Sequence, residues 1–356
     1  MSSMPLISRL SCWIFHSPRL FFVGCVLVLI IFKCGIGESS LLEQKAAMAA
    51  NPFVNPFDGD KHYLFSTYLS PFLMWCLGLS SPKAFFYFHL VFAFLFTFLF
   101  ARTAFLWLPD SLARISLIIF AALPASSTVY FWVGSDSLTL FLMMLALFFH
   151  QKSMVVLLIG ILLGLQDFEK VALASGILLL CNVLLHVVDC QNKHNFVFSI
   201  GFALVLLLGV FLGKQLLLYW IKHFEIAVYS NRMNFVKDNT LWLIKMFFSR
   251  MHLSVYAALG TSWLVALWII FKEQYGKIFA LGLLCCFLVL LLALDHSRIF
   301  AMVSFLLLAQ FVLFNRALLE KFFQHPENVV FFLCLWLIVP FMWILAQVYF
   351  AHSFWE

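Results

Sequence analysis

The stretch AFFYFHLVFAFLFTFLFARTA, residues 84–104, carries one charged side chain, Arg102, and is otherwise almost entirely apolar. A helix of about 20 such residues matches the hydrocarbon thickness of a bilayer. The rest of the chain is equally unsuited to water, since 64% of its 356 residues are hydrophobic and 11% are charged. Soluble proteins carry roughly a quarter charged residues. The sequence therefore predicts an integral membrane protein built from α-helices.

Apolar runs of this kind recur along the whole chain, separated by Gly, Pro and charged residues. We predict an all-α fold, a polytopic transmembrane helix bundle of about eleven spans, with residues 1–356 as a single transmembrane domain. The predicted spans are 19–37, 84–104, 113–132, 135–150, 153–167, 169–188, 196–219, 254–272, 277–294, 298–315 and 328–350. Very short polar segments separate the third span from the fourth and the fifth from the sixth, which favours tight hairpins there.

Three local features refine this architecture. The first loop, 38–83, is long enough to hold an interfacial helical segment. The second long loop, 220–253, combines aromatic residues with Lys245 and Arg250, which is typical of an amphipathic helix at the headgroup level. Contact of these cations with lipid phosphates is an alternative to a helix that merely rests there. Two Gly-x-x-x-Gly motifs, Gly160 to Gly164 and Gly209 to Gly213, can let helices approach closely.

Basic residues in the short loops predict the orientation, because Lys and Arg accumulate on the cytoplasmic side. With a retained first helix and a cytoplasmic N-terminus, the inner loops are net positive, with cations at Arg9, Arg19, Arg102, Arg114, Lys152, Lys193, Lys272, Lys277, Arg316 and Lys321. The net charge of +6 is scattered and forms no stripe suited to nucleic acid. We expect a multi-pass protein of a bacterial inner (plasma) membrane, with membrane lipid as a partner.

Under this topology the acidic residues near apolar runs gather on the non-cytoplasmic face. They are Asp58, Asp60, Asp136, Asp167, Glu169 and Asp295. Ionisable groups at membrane depth are unfavourable by several kcal/mol unless they face a partner or a cavity. A one-sided cluster therefore predicts a polar pocket near the outer leaflet, although short external hairpins also need polar residues at their ends.

The strongest local motif is Asp58-Gly59-Asp60 in the first external loop, followed closely by His62. Two carboxylates at this spacing can share a divalent cation. They can also divide into a base and a group that orients it, because close like charges separate their pKa values. Gly59 leaves the backbone free to aim both side chains. A solvated turn is the alternative, since Asp-x-Asp is common in loops.

An acidic first external loop directly after the first membrane helix, then Tyr63, an aromatic segment and many further spans, resembles the GT-C superfamily of polytopic glycosyltransferases. Similar features lie at Gly134-Ser135-Asp136-Ser137, Gly164-Leu165-Gln166-Asp167-Phe168-Glu169-Lys170 and Asp295-His296-Ser297-Arg298. The sequence departs from that superfamily's commonest pattern, an adjacent Asp-Glu pair in this loop. Which carboxylate is the base, and whether a metal is needed, therefore stay open.

The resemblance implies a membrane glycosyltransferase that moves a sugar from a polyprenyl-phosphate-type lipid donor to an acceptor on the non-cytoplasmic face. It nominates Asp58 and Asp60 as catalytic residues, and as the ligands of a divalent cation if one is used. We expect substrate contacts from His62, Asp136, Glu169, Lys170, Asp295 and Arg298, with the cations near the departing phosphate. The alternatives are a transporter or flippase of lipid-linked or small polar substrates, and a membrane assembly protein without catalysis.

Overall fold

The computed structural model of the chain describes residues 6–39, 41–57, 59–188, 198–228, 232–345 and 347–350. Their regular secondary structure is helical, apart from one β-hairpin of strands β1 (Met342–Leu345) and β2 (Gln347–Phe350). The α-helices are α1 (Leu6–His16), α2 (Arg19–Cys34), α3 (Leu42–Ala50), α4 (Leu69–Cys76), α5 (Pro82–Trp107), α6 (Asp110–Ala122), α7 (Pro124–Phe131), α8 (Ser135–Phe148), α9 (Ser153–Val187), α10 (Ile200–His223), α11 (Arg232–Ser249), α12 (Met251–Leu259), α13 (Trp263–Lys272), α14 (Gly276–Leu290), α15 (His296–Leu308), α16 (Arg316–Phe322) and α17 (Pro326–Ile338). Two 3-10 helices, Gly59–Ser66 and Gly260–Ser262, and a π-helix, Ala309–Leu313, complete the secondary structure.

The long apolar helices indicate an integral membrane protein, as predicted. Within the described residues, five helices are long and apolar enough to cross a membrane: Pro82–Trp107, Ser153–Val187, Ile200–His223, Met251–Lys272 and His296–Leu313. The number rises to seven if each of two bent pairs, α1 with α2 and α6 with α7, is one span. Three further apolar helices, α8, α14 and α17, are shorter. The helix bundle is confirmed, whereas length and composition give fewer spans than the eleven predicted.

The first half of α9 packs closely against α10 and runs parallel to it. Gly160 lies against Gly209, and Gly164 lies against Gly213, so residue numbers rise together along the two helices. The absence of side chains at these four positions lets the backbones touch. The two Gly-x-x-x-Gly motifs therefore pack against each other, as their spacing suggested.

The second half of α9 runs in the opposite direction along the same partner. Phe168 contacts Phe211 with ring centroids 5.2 Å apart, and Asn182 donates a hydrogen bond to the carbonyl oxygen of Ser199. Residue numbers now rise along α9 while they fall along α10. The chain reverses at Asp167, whose φ of −159° and ψ of 70° are not helical. These contacts agree with the tight hairpin predicted between the fifth and sixth runs.

We call the end of the bundle that holds residues 35–81 the upper end, and the end that holds residues 149–152 the lower end. At the lower end Asp110 accepts from Arg19 at 2.6 Å and from Arg114 at 2.7 Å. Lys321 pairs there with Glu273 at 3.1 Å. Cations from the predicted cytoplasmic loops thus lie together at one end of the molecule.

The first long loop is helical, as predicted, and it folds back over the upper end. Gln166 attaches it to the bundle, because its side-chain oxygen accepts from the backbone N–H of Ser70 and its Nε2 donates to the carbonyl oxygen of Ser135, each at 2.9 Å. The backbone N–H of Tyr68 also donates to the carbonyl oxygen of Leu165. The loop is therefore fixed above the beginning of α8 and the turn within α9.

The second long loop forms α11, also in agreement with the sequence. Its Phe247 is buried and packs on His296 with ring centroids 5.5 Å apart. Leu241, Trp242 and Phe248 are exposed on the opposite face. An exposed face with three large apolar side chains suits the membrane interface better than open water.

Two helices that are distant in sequence, α2 and α17, meet at the upper end. Lys33, near the end of α2, donates hydrogen bonds to the carbonyl oxygens of Trp336, Leu337 and Val339, the last at the end of α17. A cation at this position satisfies carbonyl groups that a helix C-terminus leaves without intrahelical partners, and it complements the helix dipole.

Candidate functional site

Among the residues that the structure describes, five charged side chains form a buried ion network at the upper end. Asp136 is its centre, because one carboxylate oxygen lies 2.9 Å from Lys170 Nζ and the other lies 3.2 Å from Arg298 Nε. Asp136 and Lys170 are each 4% exposed. Three separate segments, the start of α8, the second half of α9 and the first turn of α15, are thereby joined through a single carboxylate.

Each cation of the network has a second carboxylate partner. Lys170 also pairs with Asp167, three residues earlier at the turn of α9. Arg298 pairs with Asp295 at 3.2 Å, and the Asp295 side chain accepts from the backbone N–H of Arg298 as the N-cap of α15. Both outer carboxylates are buried. Attraction between these opposite charges offsets the desolvation penalty of burying the five side chains.

Helix geometry explains why the three carboxylates meet. Asp136 lies in the first turn of α8, Asp167 precedes the second half of α9, and Asp295 is the N-cap of α15. A carboxylate is stabilised at a helix N-terminus by the dipole and by the free backbone N–H groups. All three N-termini lie at the upper end, so the same preference brings three acids from distant parts of the sequence together.

A small cavity that is partly open to the surface adjoins the network beneath the first loop. Asp136, Lys170 and Arg298 line it, together with Lys45 of α3, which the sequence analysis missed. Lys45 is buried, and its Nζ donates to the carbonyl oxygens of Leu64, at 2.7 Å, and Thr67, at 3.3 Å. The uncharged lining includes Ser39, Leu41, Leu64, Thr67, Phe85, Trp132, Gly134 and Ser135. The cavity is thus a polar pocket whose described lining holds three cations and one carboxylate.

The two nominated catalytic residues lie largely outside the described part of the chain. Asp58 is not described, and of Asp60 the backbone alone is described, in the 3-10 helix Gly59–Ser66. Leu64 of the same helix lines the cavity, which brings this segment to its edge. Among the described residues, no group of three or more His, Cys, Asp or Glu side chains is placed to hold a metal ion. The predicted catalytic and metal roles of Asp58 and Asp60 stay predictions.

Two other predicted substrate contacts lie apart from the network. Asn55 Nδ2 is 3.1 Å from Nδ1 of His62 and also donates a hydrogen bond to the carbonyl oxygen of His62. These contacts of His62 lie within the first loop. Glu169 is 3.7 Å from Lys214 of α10, on another face of α9 from Lys170. Of the predicted substrate contacts, the structure joins Asp136, Lys170, Asp295 and Arg298 in the ion network, and leaves His62 and Glu169 outside the cavity lining.

The carboxyl group of Asp295, which precedes the span that begins at His296, has a perturbed proton affinity. Burial raises the pKa of Asp295 to about 6, and the guanidinium of Arg298 opposes this shift. The unfolded carboxyl ionises near pH 4, so the folded protein keeps this proton between about pH 4 and pH 6. Stability should therefore fall as pH rises through that window.

This linkage predicts a difference between the wild-type protein and Asp295→Asn, which has no proton to lose at this position. Between about pH 4.5 and about pH 7, the thermal unfolding midpoint of the wild type in detergent should fall by several degrees relative to the variant. Thermal unfolding followed by intrinsic fluorescence at a series of pH values measures it. Parallel pH profiles in the two proteins would contradict the raised pKa.

No protein-family model, curated protein or solved structure matches this chain. The resemblance to the GT-C superfamily therefore stays a prediction that rests on the loop and the three motifs quoted above. The ion network and its cavity are observations of this chain alone, and the functional assignment has to be argued from them.

Proposed function

We propose that this protein is a membrane glycosyltransferase of the GT-C type, which moves a sugar from a polyprenyl-phosphate-type lipid donor to an acceptor on the non-cytoplasmic face. The observation that carries the proposal is the convergence of Asp136, Lys170 and Arg298 on one cavity beneath the first loop. Buried ionisable groups in a membrane protein commonly mark a binding or reaction site. Their position at one end of the helices suits a lipid-linked substrate whose charged group lies at headgroup depth.

The proposed topology has eleven crossings, with the two halves of α9 counted separately and each short apolar helix counted once. The pairs α6 with α7 and α12 with α13 each form one crossing. Helix α8, with 14 residues, is only about 21 Å long, short of a hydrocarbon core of about 30 Å. Its residues are mostly buried, which supports a position inside the bundle where neighbours shield its ends from lipid.

The proposed orientation places the lower end in the cytoplasm of a bacterial cell and the upper end on the opposite side of the inner membrane. The basic residues at the lower end, among them Arg19, Arg114 and Lys321, support it through the positive-inside rule. The cavity then opens where lipid carriers present their sugars to the non-cytoplasmic side.

The proposed reaction forms a bond between the acceptor oxygen and the anomeric carbon of the sugar, as the bond from that carbon to the phosphate oxygen breaks. The electron pair of the broken bond stays on the phosphate, which gains one negative charge. Asp58 or Asp60 takes the proton of the acceptor hydroxyl. Lys170 and Arg298 stabilise the charge that develops on the phosphate, because electrostatic interactions are strong in a buried site.

The base assignment predicts a large loss of transfer when the loop carboxylates are removed. Asp58→Ala, Asp60→Ala and the double variant are assayed in membranes with radiolabelled polyprenyl-linked sugars. Loss of the general base should lower the rate by about 10²- to 10⁴-fold in at least one single variant and in the double variant. Asp238→Ala, which removes an exposed carboxylate from α11, is the matched control and should transfer normally. Unchanged transfer in all three loop variants would remove the catalytic assignment.

A further inference from the structure

We propose that a second cavity binds the phosphate group of a membrane phospholipid from the leaflet at the upper end. Its lining comes from the end of α2, the end of α17, and the points at which two other apolar stretches are interrupted. Among the described residues, it shares no lining residue with the cavity beside the ion network. The inference therefore does not depend on the proposed sugar transfer.

Two apolar helical stretches are interrupted at this cavity. Helices α6 and α7 meet at Leu123 with a bend of 56°. Helices α12 and α13 are separated by the 3-10 helix Gly260–Ser262, in which Gly260 has a φ of 49°. Leu123 and Gly260 both line the cavity. Backbone that departs from an α-helix at membrane depth is tolerated where it is buried in protein or lines a polar cavity, and such breaks form the binding sites of many transporters. Two interruptions at one cavity therefore favour a site for a polar group.

Lys33 gives this cavity a positive charge. Its ammonium group donates to the carbonyl oxygens of Trp336, Leu337 and Val339, and lies 5.7 Å from the ring centre of Trp336. Among the described residues, no carboxylate pairs with it, whereas Lys170 and Arg298 of the ion network have two carboxylates each. Carbonyl oxygens carry partial charges only. A charged group at membrane depth is unfavourable by several kcal/mol unless it has a partner, and an anion in the cavity supplies one.

The helix ends at the cavity do not reverse the sign of this charge. At each interruption the C-terminus of one helix adjoins the N-terminus of the next, so their opposite dipole charges largely cancel. The C-terminus of α17 carries about half of one negative charge. The full positive charge of Lys33 exceeds it. The cavity is therefore positive on balance, and an anion is the ligand that complements it.

A buried hydroxyl group supplies a hydrogen bond for this anion. Thr261 is 6% exposed and lines the cavity, and its Oγ1 has no hydrogen-bond partner among the residues that the structure describes. Because buried hydroxyl groups are nearly always paired, an unpaired one beside a cation indicates that a ligand oxygen accepts from it. Of the three carbonyl bonds of Lys33, the bond to Leu337 is the exposed one. Lys33 can turn this N–H group to the same ligand.

The surroundings of the cavity favour a lipid as the source of the anion. Tyr256 and Trp336 line it, and these residue types prefer the depth of the lipid headgroups. Phe32, Leu337 and Ile338, which are the chain neighbours of lining residues, are exposed. A phospholipid places its phosphate at headgroup depth and its acyl chains against such an apolar surface. Inorganic phosphate has no part that these side chains can contact.

The test counts the lipid molecules that the full-length protein retains. Delipidated protein in neutral detergent is titrated with dioctanoyl-phosphatidylglycerol, and bound lipid is measured by native mass spectrometry. Dioctanoylglycerol, which has the same chains without the phosphate, and inorganic phosphate, which has no chains, are titrated in parallel. We expect saturable binding of one phosphatidylglycerol molecule, and binding of each partial probe that is weaker by about tenfold or more.

The variants test whether the assigned groups hold the phosphate. Lys33→Met should weaken binding by about tenfold or more, and Lys33→Arg, which keeps the charge, should restore it. Thr261→Val removes the hydroxyl group at nearly constant volume and should weaken binding about three- to tenfold. Ser262→Ala is its matched control, because Ser262 is also buried without a hydrogen-bond partner but does not belong to the described lining. Lys152→Met, which removes an exposed lysine at the lower end, is the control for charge. Both controls should bind as the wild type does.

An unchanged affinity in Thr261→Val, or in a folded Lys33→Met, overturns the inference. If Lys33→Met fails to fold, the comparison of Thr261→Val with Ser262→Ala decides it alone. Equal binding of dioctanoylglycerol would show that the acyl chains are recognised without the phosphate. Inorganic phosphate that binds as tightly as the phospholipid would overturn the lipid as the source, and no saturable binding of phosphatidylglycerol would remove the site.

Discussion

Asp136→Asn should lower sugar transfer by at least about a hundredfold, the largest effect expected of any single substitution in the ion network. The two carboxylate oxygens of Asp136 serve different cations, Lys170 and Arg298. Asparagine offers one acceptor oxygen and no charge, so the two cations lose their shared counter-charge and repel each other. Breaking a buried ion pair by removing one partner also destabilises a protein by about 3–5 kcal/mol.

The measurement separates these two effects. Initial rates of transfer in membranes are divided by the amount of folded protein, which is determined by fluorescence-detected size-exclusion chromatography. Asp110→Asn is the matched control, because Asp110 also accepts from two cations, Arg19 and Arg114, but at the lower end. It should lose stability while its rate per folded molecule stays normal. A wild-type rate per folded molecule in Asp136→Asn would contradict a role for the network in the reaction.

Gly164→Ala should destabilise the bundle by about 3 kcal/mol, a large effect for a single added methyl group. A Cβ atom at this position would lie 2.2 Å from the carbonyl oxygen of Val210 and 2.9 Å from the Cα of Gly213. Both neighbours are backbone atoms, so no side-chain rotation relieves the overlap and the helices must move apart. Gly164 lies three residues before Asp167, so the displacement should also reach the ion network.

Gly176→Ala, in the second half of α9, is the control for this substitution. A Cβ atom there meets nothing within 4 Å, and alanine favours the helix by up to about 1 kcal/mol over glycine. Thermal unfolding in detergent should show a marked decrease in the midpoint for Gly164→Ala and none for Gly176→Ala. Equal midpoints for the two variants would mean that the close approach of α9 and α10 is not needed for stability.

The sequence was sufficient to predict the helix bundle and most of the network, for a definite physical reason. The apolar runs are long enough to predict helices, and the three acids lie where helices begin. Successive helices of a bundle begin at alternate ends, and the helices that follow Asp136, Asp167 and Asp295 all begin at the same end. Glu169 was grouped with them because it is their neighbour in sequence. Successive residues of a helix point about 100° apart, so Asp167 and Lys170 share a face that Glu169 does not.

Lys45 could not be identified from its sequence surroundings. The stretch Leu42 to Ala50 is a short, mildly polar helix in which a lysine is ordinarily solvated. Its importance depends on α3 folding back over the bundle, and therefore on contacts with residues that lie far from it in the chain. The predicted number of spans depends in the same way on packing, because α8 and α14 are too short to qualify by length alone.

Lys33 and the carbonyl groups that it contacts at the end of α17 are 303 to 306 residues apart in the sequence. During synthesis α2 emerges about 300 residues before α17. Until α17 has been made, the ammonium group of Lys33 stays without the acceptors that it has in the finished protein. Biogenesis of this chain therefore places a demand on the insertion machinery, which must shelter α2 until α17 has been synthesised.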